Sequence, residues 1–272
     1  MKWDADVQIA KDTTNPRPQS TVHSPQTTNH EPRTTNHNTY LALTTRELIE
    51  PQPSIEFFGL LIHEPVTALT DVLVAVINLM AYFKLKSIPN RGNVHTLFTY
   101  YFLTMAVATF LGGVVGHALL HYVPFYMKVP GWITSMLSVA LLERAIIQYS
   151  RKLIDVKIGA FFSKLNIIEL LTFLVLSLVT LNFQFVLIHA AYGMAIVVAG
   201  FAGFVYYKER SLGSKRILQA VLISATGAFF FVFQIGISKW FNHVDISHVF
   251  MMAASVVYYF GAKRLVEENH TP

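Results

Sequence analysis

Seven apolar stretches, each near the roughly 20 residues that a helix needs to cross a bilayer, follow one another between residues 65 and 262. They run about Pro65 to Phe83, Phe98 to Val123, Pro130 to Tyr149, Asn166 to Asn182, Phe183 to Tyr207, Ile217 to Ile237 and Val244 to Ala262. In hydrocarbon every backbone N–H and C=O must find its partner inside its own segment or a closed barrel, and runs this long select helices. The expected fold class is therefore all-α, a seven-transmembrane-helix bundle over residues 51–264 with a short tail at 265–272. Composition agrees: 53% of the 272 residues are hydrophobic and 14% charged, more apolar than a soluble domain of this size. Residues 1–50 are different material. The stretch "TTNPRPQSTVHSPQTTNHEPRTTNHNT" has almost no apolar side chains and cannot bury enough surface to offset the entropy of ordering, so a disordered polar tail is expected there.

Charge sets the expected orientation. The joins after the first, third and fifth stretches, together with the tail, carry thirteen basic residues, among them Lys84, Arg151, Lys152, Lys208, Arg210 and Lys263, whereas the alternate joins carry two, Lys128 and Lys239. Basic residues stay on the cytosolic side, so this asymmetry predicts an odd number of spans, the N-terminus outside or lumenal and the C-terminus cytosolic. It also decides between six and seven spans where the fourth and fifth runs meet at "LNFQF". The net charge of +5 lies in short clusters between apolar runs, without the basic patch and interleaved aromatics of a nucleic-acid face, so no nucleic-acid partner is expected. The chain has no cysteine, which removes disulfides and thiolate ligands and leaves His, Asp and Glu to hold any metal.

With directions assigned, each polar residue acquires a depth, because a helix rises about 1.5 Å per residue. Glu64 stands at the outer mouth of the first helix and Asp71 two turns in; His117 and His121 close the second; His243, Asp245 and His248 open the seventh. Glu64, Thr67, Asp71 and Asn78 form one stripe of their helix, and Asp245, His248, Met252 and Ser255 form another. Such stripes face the bundle interior, because an ionisable group in lipid costs several kcal/mol. Imidazoles and a carboxylate converging from separate helices suit zinc, which takes three protein ligands and a water in a catalytic site. His117 and His248 are the expected ligands, with Asp245 or His243 as third and His121 as a weaker option. The competing reading is that these groups simply hydrogen-bond across helices. His189 reads as an interhelical donor, and Glu143, Arg144 and Glu169 as structural charges pairing near the cytosolic surface.

An acidic residue on the first helix, a histidine late in the second and histidines opening the seventh resemble the CREST superfamily of seven-helix membrane hydrolases, which includes the alkaline ceramidases and the progestin and adipoQ receptors. The stretch "DVLVAVINLM", Asp71 to Met80, looks like the ceramidase pattern of an acidic residue followed seven positions later by Asn, here Asn78. The resemblance implies a zinc on His117 and His248 and a ceramidase-like orientation. This sequence departs from the pattern elsewhere. Val244 stands four residues before His248 where a second histidine is expected, and Gly113 stands four before His117 where the family has Ser. Tyr126 to Lys128 replace an Asp opening the third helix, and the calcium-binding acidic run is reduced to Glu56 and Glu64. The functional expectation is a divergent zinc-dependent hydrolase of amide or ester bonds in a membrane lipid, with Asp71 and Glu64 orienting the ligands or serving as acid and base. The alternative is a non-enzymatic receptor or a proton or cation transport element using the same cluster.

Overall fold

The computed structural model describes residues 52–89 and 92–268, and the expectations for residues 1–50 and for Arg91 lie outside them. Seven helices are long and apolar enough to cross a membrane, the pattern of a multi-pass membrane protein: α1 Pro65–Lys86, α2 Asn93–Ala118, α3 Phe125–Ser150, α4 Val156–Thr180, α5 Gln184–Glu209, α6 Leu212–Val232 and α7 His243–Glu268. The "LNFQF" join is a true break. Leu181 takes a left-handed conformation (φ 49°) that stops α4, and the Asn182 side chain accepts from Gln184 N through Oδ1 to start α5.

Several helices outrun their apolar stretches because capping side chains, rather than hydropathy, set their ends. Asp155 caps α4 by accepting from Lys157 N, and Ser211 caps α6 by accepting from Ser214 N. The last helix continues to Glu268, beyond the apolar run that ends near Ala262. Leu265 and Val266 are buried, and the Glu268 carboxylate accepts from Ser211 Oγ, Gly213 N and Tyr149 Oη. That carboxylate sits on the positive end of α6.

One element was not foreseen: a two-stranded antiparallel hairpin, β1 Ile55–Phe57 and β2 Leu60–Ile62, precedes α1. Its turn residues, Phe58 (φ 49°) and Gly59 (φ 76°), both lie in the left-handed region that matches strand twist in a two-residue hairpin. The hairpin leans on the end of α2, with Leu61 N donating to the Tyr122 hydroxyl and His63 N to Ala118 O.

The bundle divides along its length. The apolar core joins the end of α1 (Leu85), the start of α2 (Phe98, Phe102), the end of α3 (Ile146) and the end of α7 (Tyr258). The opposite end, where α1 and α7 begin and α2 finishes, holds buried polar side chains instead. Half of the apolar window of α2 is buried within the bundle against 17% for α4 and α6, so α2 is central and those two present broad apolar faces outward. Small residues let α6 and α7 approach closely. A Cβ added at Gly227 would lie 2.8 Å from Phe250 Cβ, and one at Gly261 2.8 Å from Ile217 Cδ1.

Candidate functional site

The polar end of the bundle is assembled from α1, α2 and α7, and Asp71 is its centre. Its Oδ1 lies 3.3 Å from His248 Nε2 and its Oδ2 3.8 Å from His117 Nε2. Two features bring His117 there. The last turns of α2 widen into a π-helix over Gly112–Ala118, a local form that turns side chains out of the regular α register and recurs at functional sites. Gly112 and Gly113 then remove the side chains that would hold α1 away. A Cβ on Gly112 would stand 3.0 Å from Asp71 Oδ2, and one on Gly113 would stand 2.7 Å from Ala68 O. The second contact explains a departure noted in the sequence, since a serine at position 113 has no room while α1 packs this closely.

The far nitrogen of each imidazole is anchored. His117 Nδ1 lies 2.5 Å from Glu64 Oε2, and a carboxylate can only accept, so Nδ1 carries the proton. Glu64 itself is placed by a left-handed backbone (φ 42°) just before Pro65, which opens α1. Partial burial pulls the Glu64 carboxyl upward, but the hydrogen bond and charge of His117, with Lys128 and His63 nearby, outweigh it and leave its pKa below the ordinary value. His248 Nδ1 lies 2.9 Å from Thr70 Oγ1. The Thr70 hydroxyl has one proton, which goes to Thr67 O (3.0 Å) or Asp245 Oδ1 (3.5 Å), both acceptors, so Thr70 accepts from His248 Nδ1–H. In their neutral forms both imidazoles therefore turn an unprotonated Nε2 toward a carboxylate. Lone pairs facing one another in this way require a proton or a cation between them.

The other residues singled out from the sequence are placed as follows. Asp245 is fully buried but faces donors: it accepts from Thr67 Oγ1 (2.8 Å), Gln52 Nε2 (2.5 Å) and Asn242 N (2.7 Å). With Asn242 Oδ1 accepting from Val244 N and Asp245 N, this is a capping box at the start of α7. His243 packs its ring on Phe231 of α6, with 5.7 Å between ring centres. His121 stacks on His63 at 5.8 Å. Farther along the same stripes, Asn78 Nδ2 donates to Ser255 Oγ (3.0 Å) and ties α1 to α7. Thr70 and Gln52 escaped the sequence reading. Small hydroxyl residues carry no signal of their own, and Gln52 gains its role only when the chain before α1 folds back over α7.

A second polar cluster lies among α3, α4 and α5. Among the described residues, the group of three potential ligands whose donor atoms all lie within 4.8 Å of one another is Glu143, Glu169 and His189, all buried, and it has the spacing to hold a metal ion. His117 and His248 form such a group with neither Asp71 nor Asp245, and Asp245 is turned to its capping donors. Glu143 and Glu169 were expected to pair with charges such as Arg144 near the surface. Instead both turn inward to His189, while the Arg144 guanidinium bonds Ser163 O. The expectation for His189 as an interhelical hydrogen-bonding group holds: its Nδ1 meets Glu169 Oε1 at 2.7 Å and its Nε2 meets Met136 O at 2.9 Å.

No curated protein and no solved structure matches the chain. Residues 66–267, which span all seven helices except the first residue of α1 and the last of α7, match the sequence model of a family described as a family of unknown function (DUF6962). This chain, with its polar Asp71 hub at one end of the bundle and its Glu143–Glu169–His189 cluster between α3, α4 and α5, belongs to the DUF6962 family.

Proposed function

We propose that the protein is a metal-dependent hydrolase of lipid amide or ester bonds, related to the CREST group, with its site at the outer or lumenal end of a bundle whose C-terminus is cytosolic. The single observation that carries this reading is the pair of oriented imidazoles, His117 and His248, each anchored through Nδ1 and each turning Nε2 to the Asp71 carboxylate. Histidines that ligate metals commonly give their other ring N–H to a carboxylate or neighbouring oxygen in this way. The donor types suit zinc, two imidazoles and one carboxylate with a fourth position left for water, but their atoms do not all lie within 4.8 Å of one another, so His117 and His248 must draw together around Asp71 to share an ion. Asp71 is favoured over Asp245 as third ligand because Asp245 already accepts from Thr67, Gln52 and Asn242. When bound, zinc supplies a Lewis acid and a water whose pKa is brought toward neutrality.

The chain's own contribution is to orient and to exclude water. Glu64 fixes the His117 tautomer, and Thr70 fixes that of His248. Glu64 and His117 remain about one-fifth and one-quarter exposed, whereas Asp71 and His248 are 8% exposed, so the hub is approached from the Glu64 side. The lipid-sized substrate reaches it from the membrane. A second reading keeps the same hub as a proton or cation relay, and the observation favouring it is Gly113, whose packing leaves no place for the hydroxyl that the hydrolases carry. Elemental analysis of the purified chain, together with fatty-acid release from labelled lipids, tests the proposal. One zinc per chain that is lost in His117→Ala and His248→Ala, along with lipid cleavage, is the expected outcome. Metal-free protein that instead conducts protons into liposomes in an Asp71-dependent manner refutes hydrolysis.

A further inference from the structure

The Glu143–Glu169–His189 cluster belongs to neither reading above. It is built from three other helices, and its polar atoms are left incomplete. His189 and Glu143 are fully buried and Glu169 is 8% exposed. His189 Nε2 meets Met136 O, a carbonyl that only accepts, so Nε2 bears a proton; Nδ1, 2.7 Å from Glu169 Oε1, offers a lone pair there when the imidazole is neutral. Asn166 Nδ2 donates to Glu143 Oε2 (3.1 Å) and to Ala140 O (3.2 Å), holding the carboxylate while leaving Glu143 Oε1 without a partner; Glu169 Oε2 also has none. Two buried carboxylates, each with an unpartnered oxygen, face one imidazole, which even when protonated balances only one of the two negative charges.

The backbone makes room for this pocket. At Gly193 α5 widens into a π-helix over Gly193–Val198, and an added Cβ there would collide with Glu143 Oε1 and stand 2.7 Å from Val139 Cγ1. A cavity of about 10 Å³, lined by Glu143, Phe162, Asn166, Tyr192 and Val197, adjoins the carboxylate. That is space for about one water or one ion, not for an organic substrate.

We propose that Glu143, Glu169 and His189 bind one divalent first-row transition-metal ion that ties α3, α4 and α5 together as a structural site. Two carboxylates neutralise a divalent charge, and His189, anchored on Met136 O, has the orientation seen in metal-bound imidazoles. The ligand chemistry, oxygen and imidazole without sulfur, suits ions such as Mn²⁺, Fe²⁺, Co²⁺ or Zn²⁺ over Cu⁺. Atoms within 4.8 Å of one another need to close by at most about 1.4 Å, and the 2.7 Å His189–Glu169 contact to open by about 0.7 Å, to reach the separation of roughly 3.4 Å that bonds of about 2.1 Å impose at tetrahedral angles. The pocket is closed, so the ion contributes to folding rather than to turnover.

The experiment uses the full chain in lipid nanodiscs, stripped with chelator and titrated with Co²⁺, whose visible absorption reports imidazole and carboxylate coordination. In a His117→Ala, His248→Ala background, one Co²⁺ per chain is expected, with a rise in thermal midpoint on loading. Adding Glu169→Gln or Glu143→Gln is expected to weaken binding by about 100-fold or more and to abolish that rise. If the background does not fold, the same comparison runs between the native chain and Glu169→Gln, where bound Co²⁺ falls by one per chain. A background that binds no Co²⁺, or Glu169→Gln that binds as tightly as its parent, overturns the proposal and leaves a proton-sharing network in its place. The two sites separate cleanly: loss of the hub reading alone leaves one ion, sensitive to Glu169 and indifferent to His117.

Discussion

The three glycines of the α2 π-helix make different contacts, and that difference can be measured. An added Cβ at Gly113 would lie 2.7 Å from Ala68 O and 2.9 Å from Asp71 Cβ, whereas at Gly116 the nearest atom is 3.9 Å away. Carbon atoms rest at about 3.5–4.0 Å, so Gly113→Ala must part α1 from α2 by about 1 Å or displace Asp71. Overpacking of this kind costs about 1–3 kcal/mol. Gly116→Ala meets no such obstacle and gains up to about 1 kcal/mol of helix propensity. Any propensity gain is common to both variants, so the gap between them is the overpacking cost of about 1–3 kcal/mol, or about 2–12 °C in thermal midpoint at roughly 2–4 °C per kcal/mol for a domain of this length. Unfolding in nanodiscs, followed by circular dichroism, reads it directly. Midpoints of the two variants agreeing within about 2 °C would show that α1 and α2 do not pack through Gly113, and the explanation given for the missing serine would go with it.

Two further outcomes follow from individual contacts. Asp245→Asn keeps its volume but weakens the capping box and the bonds from Thr67 and Gln52, so it should cost about 1–3 kcal/mol of stability in urea titration while leaving metal content unchanged; Asp71→Asn should do the reverse. Lys152, in the join between α3 and α4, lies 2.9 Å from Glu209. Partial burial lowers its pKa, but the Glu209 bond and charge, with help from Tyr149, more than reverse this, so the net shift is upward. A raised lysine contributes stability that is complete below its unfolded value, about 10.4, and is lost as pH rises through the folded one. Thermal midpoints of the native chain and Lys152→Gln should therefore converge as pH climbs past that range, and a constant difference up to the highest pH would refute the pairing.

Much of the hub was legible before folding. The stripe Thr67–Asp71–Asn78 and the stripe Asp245–His248–Ser255 both turn inward, as their spacing required, and Asn78 meets Ser255 directly. What spacing could not supply was which residue faces which. Asp245 and Asp71 look equivalent in the sequence, both carboxylates on inward stripes near one end. Yet Asn242 three residues earlier makes Asp245 a capping group, a signal present as Asn-x-x-Asp and passed over in favour of ligand chemistry. Glu143 and Glu169 read as partners of Arg144, and His189 apart from them, because nothing in one dimension relates α3 and α4 to the start of α5.

By itself the sequence determined the number of spans, their approximate limits and the faces that avoid lipid, because hydrocarbon thickness and backbone satisfaction act on each segment independently. The tertiary structure alone decided the partners. Rotation, approach and register between helices depend on glycines at the crossings and on two π-helical segments, and these collective properties place Asp71 between two imidazoles and gather two glutamates around His189.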